Sequence, residues 1–307
     1  MLRQRLIGAA AIILPVIGLL WLDEHLNFDR PGIWFTMLAV AVAGCCVWEL
    51  SSLLQAQLGG EGAGTGKLNQ RVILFATIAA VLIGSAFKFM PNPDPDCPLG
   101  NWGWPMLGLA TATAIIMLVE MRQFQAGHGA TERIARSLMA IFYVVVPYFF
   151  IFHLRMSSPN LGGVLKFVSI VFIAKWADAG AYFAGRFLGK HKMAPVLSPK
   201  KTIEGGIGGL LAAIVAAIVY VRWMMPWFLS DTSDGSTSGS LLMIAGFGIA
   251  VGIAGVIGDL SISLFKRDAG EKDSASLLPG LGGFLDVMDS VLWAAPVGYL
   301  FWISNLL

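Results

Sequence analysis

The feature that most constrains this chain is a series of long apolar segments. A bilayer core of about 30 Å requires roughly 20 mostly apolar residues in a helix. Nine segments of the chain meet this requirement within a few residues: 5–22, 33–54, 72–88, 104–121, 136–154, 162–185, 206–225, 241–265 and 284–305. The sequence therefore predicts an all-α polytopic membrane protein with about nine transmembrane helices.

Composition and charge narrow the class of protein further. Of the 307 residues, 56% are hydrophobic and only 13% are charged, whereas a soluble domain carries about 25% charged residues. The net charge of +2 gives no electrostatic footprint for nucleic acid, so we expect no nucleic-acid partner.

The distribution of basic residues predicts the orientation. With the N-terminus in the cytoplasm, 15 of the 21 Lys and Arg residues lie on the cytoplasmic side. The positive-inside rule therefore predicts a cytoplasmic N-terminus and an outside C-terminus. The segment 91–100, which contains Cys97, is predicted to be outside, as is Asp23, which we expect to be solvated.

Two regions are distinguished by their loops. Residues 1–160 are predicted to hold about five spans, and residues 161–307 about four spans and the catalytic function. The cytoplasmic loops 186–205 and 266–283 of the second region are long, basic and rich in Gly, Ser and Pro. We expect the chemistry to involve these two loops.

Ionisable residues lie within several predicted spans of the second region. Lys175 and Asp178 belong to the sixth span, Asp259 to the eighth, and Asp286 and Asp289 to the ninth. A charged side chain at the centre of a membrane helix costs roughly 2.5–3.5 kcal/mol, so such residues are functional or paired. Lys175 and Asp178 are three residues apart and could simply neutralise each other.

The carboxylates in these spans are predicted to lie in one layer, within about 12 Å of the cytoplasmic end of each helix. Asp286 and Asp289 are three residues apart and share a helix face. Clustered carboxylates of this kind indicate a cation between them, and hard oxygen ligands suit Mg²⁺.

Basic residues of the two cytoplasmic loops provide the positive charge that phosphate groups need: Lys200, Lys201, Lys266, Arg267 and Lys272. The alternative is that they only set the topology or contact anionic lipids. Gly282 and Gly283, just before the ninth span, allow the backbone to approach a ligand closely at a helix N-terminus that favours anions.

Residues 263–289 read SLFKRDAGEKDSASLLPGLGGFLDVMD and resemble the signature of the phosphatidate cytidylyltransferase (CDP-diacylglycerol synthase) family. Residues 178–205 resemble the second characteristic stretch of that family. The signature positions in register are Ser263, Lys266, Arg267, Lys272, Asp273, Ala275, Pro279, Gly282, Gly283, Asp286 and Asp289. Two positions depart from the pattern: Leu281 stands where the family has His, and Val287 where it has Arg.

The resemblance implies transfer of a cytidylyl group from CTP to phosphatidic acid, giving CDP-diacylglycerol and pyrophosphate in phospholipid biosynthesis. It implies a bacterial inner membrane protein whose active site faces the cytoplasm, with CTP, phosphatidic acid and membrane lipids as partners. It implies Mg²⁺ and a second cation such as K⁺, and it leaves a homodimer open.

The resemblance also assigns residues to roles. Those expected to take part in catalysis are Asp259, Asp286, Asp289, Lys266 and Arg267, the three aspartates as metal ligands. Those expected to bind substrate are Lys200, Lys201, Lys272, Asp273, Ser263, Asp178, Gly282 and Gly283.

Two other functions remain open at this point. One is a related CTP-dependent transferase that acts on another lipid phosphate or a lipid alcohol, which the products formed from each lipid would reveal. The other is an ion-coupled transporter, in which intramembrane Asp and Lys residues form an ion path. Uptake into vesicles without CTP would favour the transporter, but the chain has no internal repeat and its charges crowd one interface.

Overall fold

The structure of the protein is a computed structural model. It describes residues 14–23, 25–26, 32–56, 67–89, 97, 99–126, 129–158, 160–229, 239–271, 274, 282–304 and 306–307. Most of these residues are helical, and the remaining regular structure is one short β-hairpin.

Ten α-helices lie within the described residues. They are α1 (Leu14–Asp23), α2 (Ile33–Ala56), α3 (Gln70–Ser85), α4 (Gly100–Arg122), α5 (Ala130–Arg155), α6 (Asn160–Leu188), α7 (Ile203–Val219), α8 (Met225–Phe228), α9 (Leu241–Asp268) and α10 (Phe284–Ile303). A 3₁₀ turn, Ala86–Phe89, extends α3, and a π-helical turn, Tyr220–Met224, joins α7 to α8.

The predicted spans from 33–54 to 284–305 each coincide with a helical segment whose bounds differ by a few residues. Of the first predicted span, 5–22, residues 14–22 are described and lie in α1. Among the described residues, seven helical segments are long and apolar enough to cross a membrane: Ile33–Ala56, Gln70–Phe89, Gly100–Arg122, Ala130–Arg155, Ile203–Phe228, Leu241–Asp268 and Phe284–Ile303. The predicted fold class is confirmed, and the chain is an all-α multi-pass membrane protein. The total of nine crossings and their orientation stay predictions.

The chain folds as two compact units. The first comprises Met1–Phe152 and Phe265–Val287, and the second comprises His153–Leu264 and Met288–Leu307. The division at residue 160 into an N-terminal and a catalytic region stays a prediction.

In the first unit, small residues let α3 pack closely against α4 and α5. A Cβ atom at Gly108 would collide with the backbone of Ala80, and one at Gly84 would collide with the Phe149 ring. Small residues at helix contacts are typical of membrane proteins, because van der Waals packing drives helix association in lipid.

The start of α2 contradicts one prediction. Asp23 is fully buried, and its Oδ1 accepts hydrogen bonds from the backbone N–H groups of Gly32 at 2.9 Å and Trp34 at 3.2 Å. It satisfies N–H groups at a helix start that lack intrahelical partners. The prediction that Asp23 is solvated was therefore wrong, because the sequence alone does not show that the carboxylate caps α2.

In the second unit, α6 and α7 pack through small residues at four-residue spacing. Gly180 of α6 abuts Ala212 of α7, and Gly208 of α7 abuts Ala184 of α6. This close contact fixes α7 against α6, the helix that carries Lys175 and Asp178.

A two-stranded antiparallel hairpin links α6 and α7. Its strands are β1 (Lys192–Ala194) and β2 (Ser198–Thr202), with Lys192 opposite Thr202 and Ala194 opposite Ser198. Thr202 then caps α7 by accepting a hydrogen bond from the Gly205 N–H at 3.1 Å. The predicted loop 186–205 thus has regular structure, which the sequence analysis did not anticipate.

Candidate active site

The predicted site residues fall into two clusters of polar side chains, one in each unit. The Asp286 cluster, in the first unit, consists of Glu49, Lys266, Ser274 and Asp286. The Asp289 cluster, in the second unit, consists of Lys175, Asp178, Lys201, Asp259, Ser263, Asp289 and Ser290. Asp286 and Asp289 are one turn apart along α10.

In the Asp286 cluster, the Asp286 carboxylate accepts hydrogen bonds on both oxygens. Lys266 Nζ, from the last turn of α9, lies 2.8 Å from Oδ1. The backbone N–H groups of Ser274 and Gly283 each donate to Oδ2 at 3.2 Å, and the Ser274 hydroxyl lies 3.0 Å from it. The Lys266 and Asp286 side chains are only 16% and 14% exposed, so this is a largely desolvated ion pair.

Glu49 of α2 and Ser274 are the two members of this cluster that sequence reasoning missed. Glu49 is 1% exposed, and its carboxylate accepts hydrogen bonds from the N–H groups of Phe284 and Leu285, both at 2.9 Å. The signal was available, because Glu49 is an ionisable residue inside a predicted span, like Asp259 and Asp286.

The two glycines of the predicted phosphate turn have different roles here. Gly282 has φ +88°, a left-handed conformation that favours glycine. A Cβ atom at Gly283 would collide with the Glu49 carboxylate and the Ser274 hydroxyl. The close approach made by Gly283 is therefore to these two side chains of the protein.

In the Asp289 cluster, two lysine side chains lie beside three carboxylates. Lys175 Nζ lies 3.2 Å from Asp178 Oδ2 and 3.9 Å from Asp289 Oδ1. Lys201, on strand β2, lies 2.7 Å from Asp259 Oδ2. The predicted pairing of Lys175 with Asp178 is thus present, and Lys175 also attracts Asp289.

Ser263 and Ser290 add hydroxyl groups to this cluster. The Ser263 hydroxyl lies 3.4 Å from Asp259 Oδ1. The Ser290 hydroxyl lies 3.0 Å from Asp289 Oδ1 and 3.3 Å from Asp178 Oδ2, so it links two carboxylates. Ser290 was missed by sequence reasoning, since a serine in an apolar helix gives no distinctive signal.

The helices α9 and α10 come very close beside this cluster. A Cβ atom at Gly258 would collide with the backbone carbonyl of Asp289. Asp259, the next residue, and Asp289 also interact electrostatically. Gly258 therefore explains how two acidic side chains from different helices become neighbours.

The remaining predicted residues belong to neither cluster, and some of them lie outside the described residues. Lys200 is exposed in the middle of β2, and Arg267 is exposed in the last turn of α9. Lys272, Asp273 and Leu281 lie outside the described residues. Val287, the second departure from the family signature, is half-buried on α10.

The predicted metal ligands have suitable chemistry, since Mg²⁺ prefers carboxylate oxygens. Each of them nevertheless lies beside a lysine: Asp259 beside Lys201, Asp286 beside Lys266, and Asp289 beside Lys175. Among the described residues, no group of three or more His, Cys, Asp or Glu side chains is arranged to hold a metal ion. The metal site stays a prediction.

Long apolar helices that carry part-buried Lys–Asp pairs define a multi-pass membrane protein with charged side chains inside its helices. The model of the cytidylyltransferase family matches residues 3–304. The chain therefore belongs to the cytidylyltransferase family.

Individual relatives carry a more specific name. A phosphatidate cytidylyltransferase of Haemophilus influenzae is 44% identical over an alignment 310 residues long, which covers 96% of this chain and 96% of the relative. One of Staphylococcus saprophyticus is 36% identical over 231 residues, covering 75% of this chain and 81% of the relative. The family resemblance seen in residues 263–289 is confirmed.

Proposed function

We propose that this chain is a phosphatidate cytidylyltransferase, which makes CDP-diacylglycerol and pyrophosphate from CTP and phosphatidic acid. The observation that carries the proposal is its 44% identity, over 96% of both chains, to a relative of that name. The Lys–Asp pairs, of which Lys266–Asp286 is the most buried, are consistent with this activity, because both substrates and both products are anionic.

The reaction is an in-line displacement at phosphorus. A phosphate oxygen of phosphatidic acid attacks the α-phosphorus of CTP, and the bond from that phosphorus to the oxygen bridging the α- and β-phosphates breaks. Pyrophosphate leaves with that oxygen, so no covalent bond to the protein is needed. Catalysis then consists of positioning the two substrates and offsetting their negative charge.

Lys266 and Lys201 are the residues best placed to bind phosphate. Each ammonium group carries three N–H donors. The hydrogen bond from Lys266 to Asp286 uses one of them, and Lys201 forms an ion pair with Asp259 at 2.7 Å. The carboxylate therefore holds the lysine in place while the other donors are left for phosphate oxygens. Arg267, Lys200 and Lys272 add positive charge for the triphosphate.

Metal ions complete the proposal. Asp259, Asp286 and Asp289 would hold Mg²⁺, which supplies positive charge to the reacting phosphates when it is bound. The family resemblance adds a second cation such as K⁺. The site is proposed to face the cytoplasm from the inner membrane, in agreement with the positive-inside orientation.

The test is an acceptor comparison with purified protein. CTP labelled at the α-phosphate is supplied with phosphatidic acid, with diacylglycerol, or with an isoprenoid phosphate, each with Mg²⁺ or with EDTA. The proposal expects labelled lipid with phosphatidic acid and Mg²⁺ and none with diacylglycerol. The replacements at Leu281 and Val287 leave open a preference for the isoprenoid phosphate. Such a preference would instead make the chain a related CTP-dependent transferase that acts on another lipid phosphate.

A further inference from the structure

Glu49 is a buried carboxylate for which the proposed reaction gives no role. It lies in α2, about 10 Å before the C-terminal end of that helix at a rise of about 1.5 Å per residue. Its side chain is surrounded by protein in the first unit and is 1% exposed. A carboxylate at such a position is costly unless it is paired or hydrogen-bonded.

The partners of Glu49 lie at the start of α10. The first N–H groups of a helix have no intrahelical acceptor, and two of these, from Phe284 and Leu285, donate to the Glu49 carboxylate. The negative charge also interacts favourably with the positive end of the helix dipole. A helix start is usually capped by a residue close by in sequence, whereas Glu49 is 235 residues from Phe284.

The Ser274 hydroxyl connects Glu49 to Asp286. It lies 3.0 Å from Glu49 Oε2 and 3.0 Å from Asp286 Oδ2. A hydroxyl has one hydrogen, so it donates to one carboxylate at a time, while the Ser274 N–H remains bonded to Asp286. Gly283 leaves the space that this arrangement requires, since any side chain there would overlap both Glu49 and Ser274.

We propose that Glu49 is a positioning residue for cytidylyl transfer, which fixes the first turn of α10 and Ser274 so that Asp286 holds Lys266 toward the phosphates. This inference rests on the proposed function. Glu49 touches neither substrate nor reacting atoms, and it acts through the hydrogen bonds to Phe284, Leu285 and Ser274.

The test variant is Glu49→Gln, which keeps the length of the side chain. Its amide offers one acceptor oxygen in place of two and directs N–H groups at donors of the helix start. Because a misplacement of about 1 Å can cost about 100-fold in rate, we expect kcat per folded enzyme to fall about 10- to 100-fold. We expect the KM for CTP to change less than about threefold, because the lost interaction acts on the reacting geometry.

Glu120→Gln is the matched control. Glu120 is also a buried carboxylate of the first unit, 7% exposed, and it pairs with Arg133 at 2.8 Å. It belongs to neither cluster, so its loss should lower the yield of folded protein and leave kcat and KM per folded enzyme unchanged.

Ser274→Ala is the second test, because it removes only the hydroxyl between the two carboxylates and leaves the helix start capped. We expect about a tenfold fall in kcat. The double variant with Glu49→Gln should lose less than the product of the two single losses, since both act through one network.

The outcomes separate the inference from the function on which it rests. Wild-type protein that transfers no label from CTP to phosphatidic acid would overturn both. Active wild-type protein, with Glu49→Gln and Ser274→Ala at wild-type kcat per folded enzyme, would overturn the positioning role alone. If Glu49→Gln does not fold, the kcat of Ser274→Ala decides in the same way.

Discussion

Replacement of Asp286 by Asn tests the Asp286 cluster directly. The carboxylate now accepts from Lys266 on one oxygen and from backbone N–H groups of Ser274 and Gly283 on the other. Asn offers a single acceptor oxygen, so its amide N–H₂ group must face either the lysine or the two N–H groups. Both arrangements leave buried donors without acceptors.

The expected loss of stability follows from the burial of the Lys266–Asp286 ion pair. Removing one partner of a buried ion pair costs about 3–5 kcal/mol, and the Lys266 and Asp286 side chains keep 16% and 14% of their exposure. We therefore expect a loss of stability at the lower end, about 3 kcal/mol. Because Lys266 is also released from its position, kcat/KM should fall at least about 100-fold, as when one preorganised electrostatic contact is lost.

The assay is label transfer from CTP to phosphatidic acid per folded enzyme, with thermal unfolding followed by the fluorescence of the 10 tryptophans. Asp268→Asn is the control, since Asp268 is exposed at the end of α9 in the same unit, and it should stay within about twofold of wild type. Asp286→Asn with more than about a tenth of wild-type activity would refute the role given to Asp286.

Three further changes have definite expected outcomes. Lys201→Met should raise the KM for CTP at least about tenfold, because it removes a charged contact to phosphate. Lys192→Met, at an exposed position on the neighbouring strand, should leave the KM unchanged. Equal KM values for the two variants would contradict the phosphate-binding role of Lys201. Gly283→Ala should lower the thermal midpoint because its Cβ meets the Glu49 carboxylate, while Gly246→Ala, with open space around its Cβ, should preserve or raise it. The predicted topology is tested by labelling cysteines with an impermeant thiol reagent. Cys97 should react in intact cells, whereas a cysteine placed at Lys192 in a Cys97→Ser background should react only after permeabilisation. The reverse pattern would contradict the predicted orientation.

The helices could be predicted from the sequence because lipid imposes a simple requirement on it. A crossing helix needs about 20 apolar residues, and such runs are visible without knowledge of any contact. The hairpin Lys192–Thr202 escaped prediction because strands of three and five residues have too few positions to show alternation.

The sequence indicated several residues of the candidate site, but it did not indicate which lysine lies beside which aspartate. Intramembrane charge singled out Asp259, Asp286 and Asp289, but the lysine beside each one depends on how helices pack, which sequence spacing does not reveal. Asp23 and Glu49 show the same limit. Both are carboxylates that cap the start of a helix other than their own, and only the fold brings donor and acceptor together.

The most direct test of the proposed reaction follows two different phosphates of CTP. Purified protein is incubated with phosphatidic acid and CTP labelled at either the α- or the γ-phosphate, and lipid and water-soluble products are separated. Attack at the α-phosphorus predicts that the α-label enters lipid while the γ-label leaves as pyrophosphate, one pyrophosphate for each labelled lipid. Lipid labelled from the γ-phosphate, or unlabelled lipid in both incubations, would contradict cytidylyl transfer to phosphatidic acid.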